Sequence, residues 1–209
     1  MGRMTSLMAL SATMLEDILS TFDNTVYGFV SGHMSEEMTR FMKYVTFWGS
    51  ELAITVITLL ILFTAFIWNK KEHLPFALLI AANIAIGALL NYILKQLIQR
   101  QRPDLLRLVE IGGYSFPSGH SMSSIIFYGF IAFLCIRYLK HRSKYFLAVI
   151  LGLFVIMIGI SRIYLGVHYA SDVLGGFIFG SGWIILCIKL AERYGFLKKE
   201  GHVIITVDK

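Results

Sequence analysis

Five long apolar stretches decide most of what this chain can fold into. They run over Leu52–Trp68, Leu74–Leu94, Met122–Tyr138, Tyr145–Ile160 and Val173–Leu190. Each is close to the ~20 residues a helix needs to cross a hydrocarbon layer at about 1.5 Å per residue. Inside lipid, backbone N–H and C=O groups must bond within their own segment, so helices are expected and not strands. Composition points the same way: 56% of the residues are hydrophobic and 15% charged, against about 45–50% and about 25% in soluble domains. A soluble globule of 209 residues could not bury that much apolar surface. With 3 Pro, 18 Gly and 2 Cys, collagen, disordered and disulfide-scaffold classes are excluded. The expected fold is all-α: one polytopic transmembrane bundle over residues 1–209, with its core at 52–190. Cys135 and Cys187 lie inside apolar stretches and read as packing residues.

The linkers are of two kinds. Asn69–His73 and Lys140–Lys144 are short and charged, whereas Lys95–Ser121 and Ser161–Asp172 carry Gly, His and Arg. Alternating crossings place the first pair on one face and the second pair on the other. The first face holds Lys70, Lys71, Arg137, Lys140, Arg142, Lys144, Lys189, Arg193, Lys198, Lys199 and Lys209. The second holds Arg40, Lys43, Lys95, Arg100, Arg102, Arg107 and Arg162. The positive-inside rule makes the first face, with the C-terminus, cytoplasmic, and turns the His- and Arg-bearing loops outward. The net charge of +6 is thereby explained by membrane topology, and no nucleic-acid partner is expected.

The N-terminal segment is ambiguous. Met8–Phe22 is apolar but contains Glu16 and Asp17, with Asp23 following. A carboxylate at mid-bilayer costs about 2.5–3.5 kcal/mol on the insertion scale. An amphipathic helix or a marginal sixth crossing is expected there, with a second helix over Ser35–Phe47 opening at Ser35.

Three clusters on the outward face carry the chemistry. They are Lys95 with Arg102-Pro103, Pro117-Ser118-Gly119-His120, and Ser161-Arg162 with His168 and Asp172. Lys95, Arg102 and Arg162 supply three cations suited to phosphate oxygens, the arginines through planar bidentate forks. Ser118 is a natural helix cap, Gly119 admits close backbone approach, and free N–H groups at a helix start attract anions. His168 and Asp172 are four residues apart and share a face on a helical turn. A carboxylate on one ring nitrogen fixes the tautomer and leaves the other free to attack. His120, on the other loop, is then the candidate proton donor to the leaving group. The outward carboxylates Asp104, Glu110 and Asp172 are too spread for a metal cluster, so neither metal nor cofactor is expected.

At these residues the chain resembles the type 2 phosphatidic acid phosphatase (PAP2) superfamily. Its pattern, KxxxxxxRP, PSGH and SRxxxxxHxxxD, is matched throughout and in order. The resemblance implies a magnesium-independent membrane lipid phosphatase: His168 takes the phosphoryl group as phosphohistidine, and His120 protonates the leaving group. Lys95, Arg102, Ser118, Gly119 and Arg162 then bind the phosphate. Bacterial members acting on phosphatidylglycerol phosphate or undecaprenyl diphosphate fit the chain's size. The expected setting is the bacterial inner membrane, with lipids as the partners and no obligatory protein partner. The same histidine chemistry would serve a lipid phosphotransferase. From another class, a haem-binding membrane protein would use His120 and His168 as axial ligands.

Other residues have plainer readings. Arg100 and Arg107 read as snorkelling anchors at helix ends. Gly112-Gly113 reads as a loop turn, and Gly175, Gly176 and Gly180 as helix-packing positions. Phe116, Tyr164 and Tyr169 read as interfacial aromatics. His33, His73, His141 and His202 have no partner pattern.

Overall fold

The computed structural model describes residues 2–67, 73–104 and 106–197. Lys70, Lys71, Lys198, Lys199, Lys209 and His202 lie outside the described residues. The described residues contain helices and no strand: α1 (Gly2–Ser31), α2 (Glu36–Phe47), α3 (Glu51–Ile67), α4 (Leu74–Ile98), α5 (Gly119–Ser124), α6 (Phe130–Tyr138), α7 (Ser143–Tyr164) and α8 (Ala170–Arg193). A π turn, Ile125–Gly129, joins α5 to α6, so Gly119–Tyr138 is one 20-residue span.

Among the described residues α4, α5–α6, α7 and α8 are each long and apolar enough to cross a membrane. The stretch expected to cross as Leu52–Trp68 becomes the 17-residue α3. Among the described residues α2 and α3 together, bent by 44° at their junction, form a further candidate span. The N-terminal segment is a single long helix and not the short Met8–Phe22 unit.

Local chemistry sets the helix ends. Ser35 caps α2 by accepting the Met38 N–H at 3.1 Å, and Glu36 and Glu37 sit in its positive first turn. Pro75 lies in the first turn of α4, where a missing N–H is harmless. Gln99 ends α4 in the left-handed region at φ 51°, its N–H returning to the Lys95 carbonyl. Gly166 ends α7 with φ +70°; a Cβ there would strike the Leu106 carbonyl.

The core lies where α5, the π turn and α6 run between α7 and α8. Ile54, Met122, Ile126, Phe127, Phe130 and Ile158 are its fully buried members. The small residues of α8 make this possible. A Cβ on Gly176 would come within 2.8 Å of the Ser118 carbonyl, and one on Gly175 would meet the Phe116 ring. Asn83 of α4 donates to the Ile126 carbonyl inside the π turn, and Trp183 of α8 donates to the Asn83 carbonyl at 3.1 Å. Outward, α3, α7 and α8 present Phe63, Phe66, Leu153 and Ile178 exposed, a surface suited to lipid and not to water.

Candidate active site

Four span ends meet at one end of the bundle: the last turns of α4 and α7 and the first turns of α5 and α8. The loops between them are stitched together by backbone bonds. Ser118 N–H donates to the Asp172 carbonyl at 3.0 Å, Leu108 N–H to Leu165, and Ser115 N–H to Arg100. The three motifs therefore share one locus, as their spacing implied.

His168 sits in the loop between α7 and α8 and is 3% exposed. Its Nδ1 lies 3.4 Å from both Asp172 Oδ2 and Ser115 Oγ. Its Nε2 lies 3.2 Å from an Arg102 guanidinium nitrogen. Arginine can only donate, so Nε2 holds the lone pair and Nδ1 carries the proton. Burial drives the His168 pKa down to about 4; Asp172 pulls it up, and Arg162 and Arg102 push it down again. The ring is thus neutral at pH 7, the state a nucleophile requires.

Arg102 is held by carbonyls. Its Nε donates to Gly112 and Gly113, its terminal nitrogens to Gly112 and Val167. The Gly112-Gly113 turn, with Gly113 at φ +74°, thereby aims the cation at His168. Lys95 Nζ donates to the Tyr114 carbonyl at 2.6 Å.

Arg162 differs from both. It is 2% exposed, and one terminal nitrogen donates to Thr46 Oγ1 of α2 at 2.7 Å. Its Nε and other terminal nitrogen are buried without a hydrogen-bond partner among the described residues. Its charge acts on both His120 and His168. Orphaned donors on a buried cation are unfavourable until an anion meets them.

Ser118 is a cap: its Oγ accepts from Ser121 Oγ at 3.0 Å and, at 3.5 Å, from the Ser121 N–H. Its own N–H is taken by Asp172, so the expected phosphate contact from Ser118 is not formed through that group. The N–H groups of Gly119 and His120 have no hydrogen-bond partner among the described residues. The His120 ring likewise makes no hydrogen bond there, and its backbone lies beside Gly49 in the α2–α3 break.

Several functional neighbours were not legible. Arg100 is no snorkelling anchor: it donates to Asp172 Oδ1 at 2.7 Å and to Asp23 Oδ2 at 2.8 Å. Burial lowers its affinity for a proton, but the two carboxylates outweigh that and raise it. Ser115 is fully buried and donates to Asp172 Oδ2. Tyr164 hydrogen-bonds Ser35 and Thr39, and the half-buried Tyr169 lies under Arg100 at 4.1 Å, so both pack against the residues around the site. Arg107 donates to the Pro103 carbonyl, bracing the Arg102-Pro103 turn. Among the described residues no three His, Cys, Asp or Glu side chains gather as a metal-binding set.

A family model described as the PAP2 superfamily matches residues 76–195, more than half of the chain, and the protein belongs to that superfamily. Phosphatidylglycerophosphatase B of Bacillus subtilis is 47% identical over 94 residues, 44% of this chain and 46% of that protein. An undecaprenyl-diphosphatase of Sulfolobus acidocaldarius is 26% identical over 182 residues, 85% of this chain and 82% of that one. The crystal structure of a transmembrane PAP2-type phosphatidylglycerolphosphate phosphatase from Bacillus subtilis matches with a TM-score of 0.79 at 29% identity, covering 95% of this chain and 96% of that one. The chain spans about half the length of the first curated relatives it matches. Its family, its helical architecture and its several apolar spans make it an integral membrane protein of the PAP2 superfamily.

Proposed function

We propose that the chain dephosphorylates a membrane lipid phosphate, of the phosphatidylglycerol phosphate or undecaprenyl diphosphate class, without a metal ion. One observation carries this: a neutral His168 with its Nε2 lone pair beside Arg102, next to a buried Arg162 with two orphaned nitrogens. Arg162, Arg102, Lys95 and the N–H groups of Gly119 and His120 would hold the three equatorial oxygens. His168 Nε2 attacks phosphorus as the bond to the lipid oxygen breaks, and His120 gives that oxygen its proton. Asp172 supports the positive charge that builds on the ring. Water then attacks the phosphohistidine, His120 takes the water's proton, and inorganic phosphate leaves. The haem alternative gives no role to Asp172 beside His168, and a colourless purified protein would dismiss it. Transfer to an acceptor in place of water uses the same residues.

The test is phosphate release from phosphatidylglycerol phosphate, undecaprenyl diphosphate, phosphatidic acid and lysophosphatidic acid in detergent micelles, with and without EDTA. Release from at least one lipid, unchanged by EDTA, is expected. Loss in chelator restored by magnesium alone would overturn the metal-free mechanism. Transfer to a lipid or sugar acceptor with no phosphate release would select the transferase.

The site end is read as facing outward from a bacterial inner membrane, with the C-terminus cytoplasmic. Arg137, Lys140, Arg142, Lys144, Lys189 and Arg193 cluster at the opposite end, whereas Lys95, Arg100, Arg102 and Arg162 are committed to the site. Single cysteines placed near Gly112 should react with membrane-impermeant thiol reagents on intact cells, and those in 140–144 should not. The reverse labelling would put the site in the cytoplasm.

A further inference from the structure

The N-terminal helix α1 reaches the catalytic centre through one buried carboxylate. Asp23 is 3% exposed and accepts the Ser171 N–H and Ser171 O–H, each at 2.7 Å, as well as Arg100. We propose that Asp23 and Arg100 are positioning residues for the reaction, holding Asp172 in the orientation and charge state that His168 needs. The inference rests on the phosphatase reading above.

Asp172 has two oxygens with different tasks. Oδ2 faces His168 Nδ1, accepts from Ser115 Oγ, and takes the Tyr169 N–H at 2.9 Å. Oδ1 has Arg100 as its hydrogen-bond partner among the described residues. The carboxylate torsion is soft and nearly two-fold, so a partner on Oδ1 decides whether Oδ2 stays aimed at the ring. Arg100 is itself held on three sides: by Asp23, by Ser171 Oγ at 2.7 Å, and by the Tyr169 ring.

Packing alone does not account for Asp23. Val26, Tyr27 and Val30 already seat α1 against Ile163, Ala170 and Val173. A buried carboxylate on such a helix is unfavourable unless it is paired. Its pairing is informative, because Arg100 is shared between Asp23 and the carboxylate that serves His168. The titratable and charged groups around Asp172 are Arg100 after α4, the neutral His168 before α8 and, through Arg100, Asp23 on α1, with Lys95 and Arg102 acting from farther off. Given Arg100 alone, Asp172 would spend its charge on the guanidinium. Asp23 takes part of that cation and leaves more of the Asp172 charge for the ring as Nε2 attacks.

The experiment compares wild type, Asp23→Asn, Arg100→Gln, Arg100→Lys and the double variant Asp23→Asn/Arg100→Gln as full-length protein in micelles. Phosphate release from phosphatidylglycerol phosphate is followed as kcat and KM. The ¹⁵N signals of the histidine rings, with His168 assigned by its loss in His168→Gln, report the tautomer without any substrate. Outer-shell groups that orient a metal-bound histidine are worth about 10–100-fold, and on that scale Asp23→Asn should lose about tenfold in kcat and Arg100→Gln up to about a hundredfold, with KM nearly unchanged. The double variant should be no worse than Arg100→Gln, because coupled residues are not additive. Arg100→Lys should recover part of the loss, and the His168 ring signals should move in Asp23→Asn. Additive losses, or unchanged ring signals and kcat with only melting temperature or KM affected, would overturn the proposal. If Arg100→Gln does not fold, Asp23→Asn against Asp23→Glu decides by the same two readouts. A wild type that hydrolyses none of the four lipids while its ring signals respond to Asp23→Asn defeats the phosphatase reading and leaves this inference standing.

Discussion

The two ends of the bundle use charge in opposite ways. At the site end Arg162, Asp172, Asp23 and His168 are buried, and most of their polar atoms are bound to partners from several segments. At the other end the described residues include the ion pair Arg137–Glu192 at 2.6 Å, with Glu192 a quarter exposed. Beyond it Lys140, Arg142 and Lys144 stand at the surface. Both ends lie where a membrane would give way to water, so position along the bundle does not explain the difference. Burial and partners do: the charge at one end stands largely in the open, whereas the charge at the other is sheltered and held by hydrogen bonds from several segments. Arg162 marks the contrast most sharply, as a buried cation left with unused donors.

The histidines test this contrast at its strongest point. His168→Ala should abolish phosphate release, and no acid-labile phosphoenzyme should be trapped. His120→Ala should lose about 10²–10⁴-fold on lipid substrates, the usual worth of a placed acid, and recover partly on an activated aryl phosphate. Rescue of His168→Ala and not of His120→Ala by the aryl ester would exchange their roles. Next in size is Arg162→Lys. A point charge cannot copy a fork, and loss of a preorganised donor costs about 10²–10³-fold. Activity within a few-fold of wild type would show that the orphaned nitrogens are idle.

The third prediction concerns pH. An unperturbed imidazole titrates near ~6.5, whereas burial holds His168 at about 4. The neutral nucleophile should therefore persist as pH falls and be lost only as pH drops through about 4. Histidine ring NMR of the substrate-free protein checks this directly, and a midpoint at or above the unperturbed value would remove the premise. The smallest effect belongs to the opposite end. Glu192→Gln should cost about 0–1 kcal/mol in stability and leave turnover within about twofold, since partly exposed pairs contribute little. A large activity loss there would mean the two ends are coupled.

The spans were legible because apolar length is a local property. The expected Leu74–Leu94, Tyr145–Ile160 and Val173–Leu190 recur as α4, α7 and α8, each extended by a few residues. The motif residues were legible because their spacing is fixed within short segments. What escaped depends on distant partners. Asp23 read as an obstacle to burial, and Arg100, which neutralises it, lies 77 residues along the chain. Ser115 belongs to no periodic pattern, and its role exists only once Asp172 and His168 stand beside it. Thr46 has no signal until α2 packs on α7. The break between α2 and α3 was legible, since the expected helices stop at Phe47 and resume at Leu52 with Gly49-Ser50 between them, but its 44° angle was not.

The π turn at Ile125–Gly129 has a consequence for how this span tolerates change. An α-helix advances about 100° per residue, so one added residue accommodated in a wider turn rotates everything beyond it by about that much. The face of Ser118 to Ser124 and the face of Phe130 to Tyr138 are thus set by separate registers along one rod. Asn83 donates to the Ile126 carbonyl inside the joint, although its own Oδ1 has no partner among the described residues. The half bearing His120 can therefore keep its alignment to the neighbouring loops while the half beyond the joint changes in sequence. Deleting one residue at the joint would couple the halves again and turn one of them away from its neighbours.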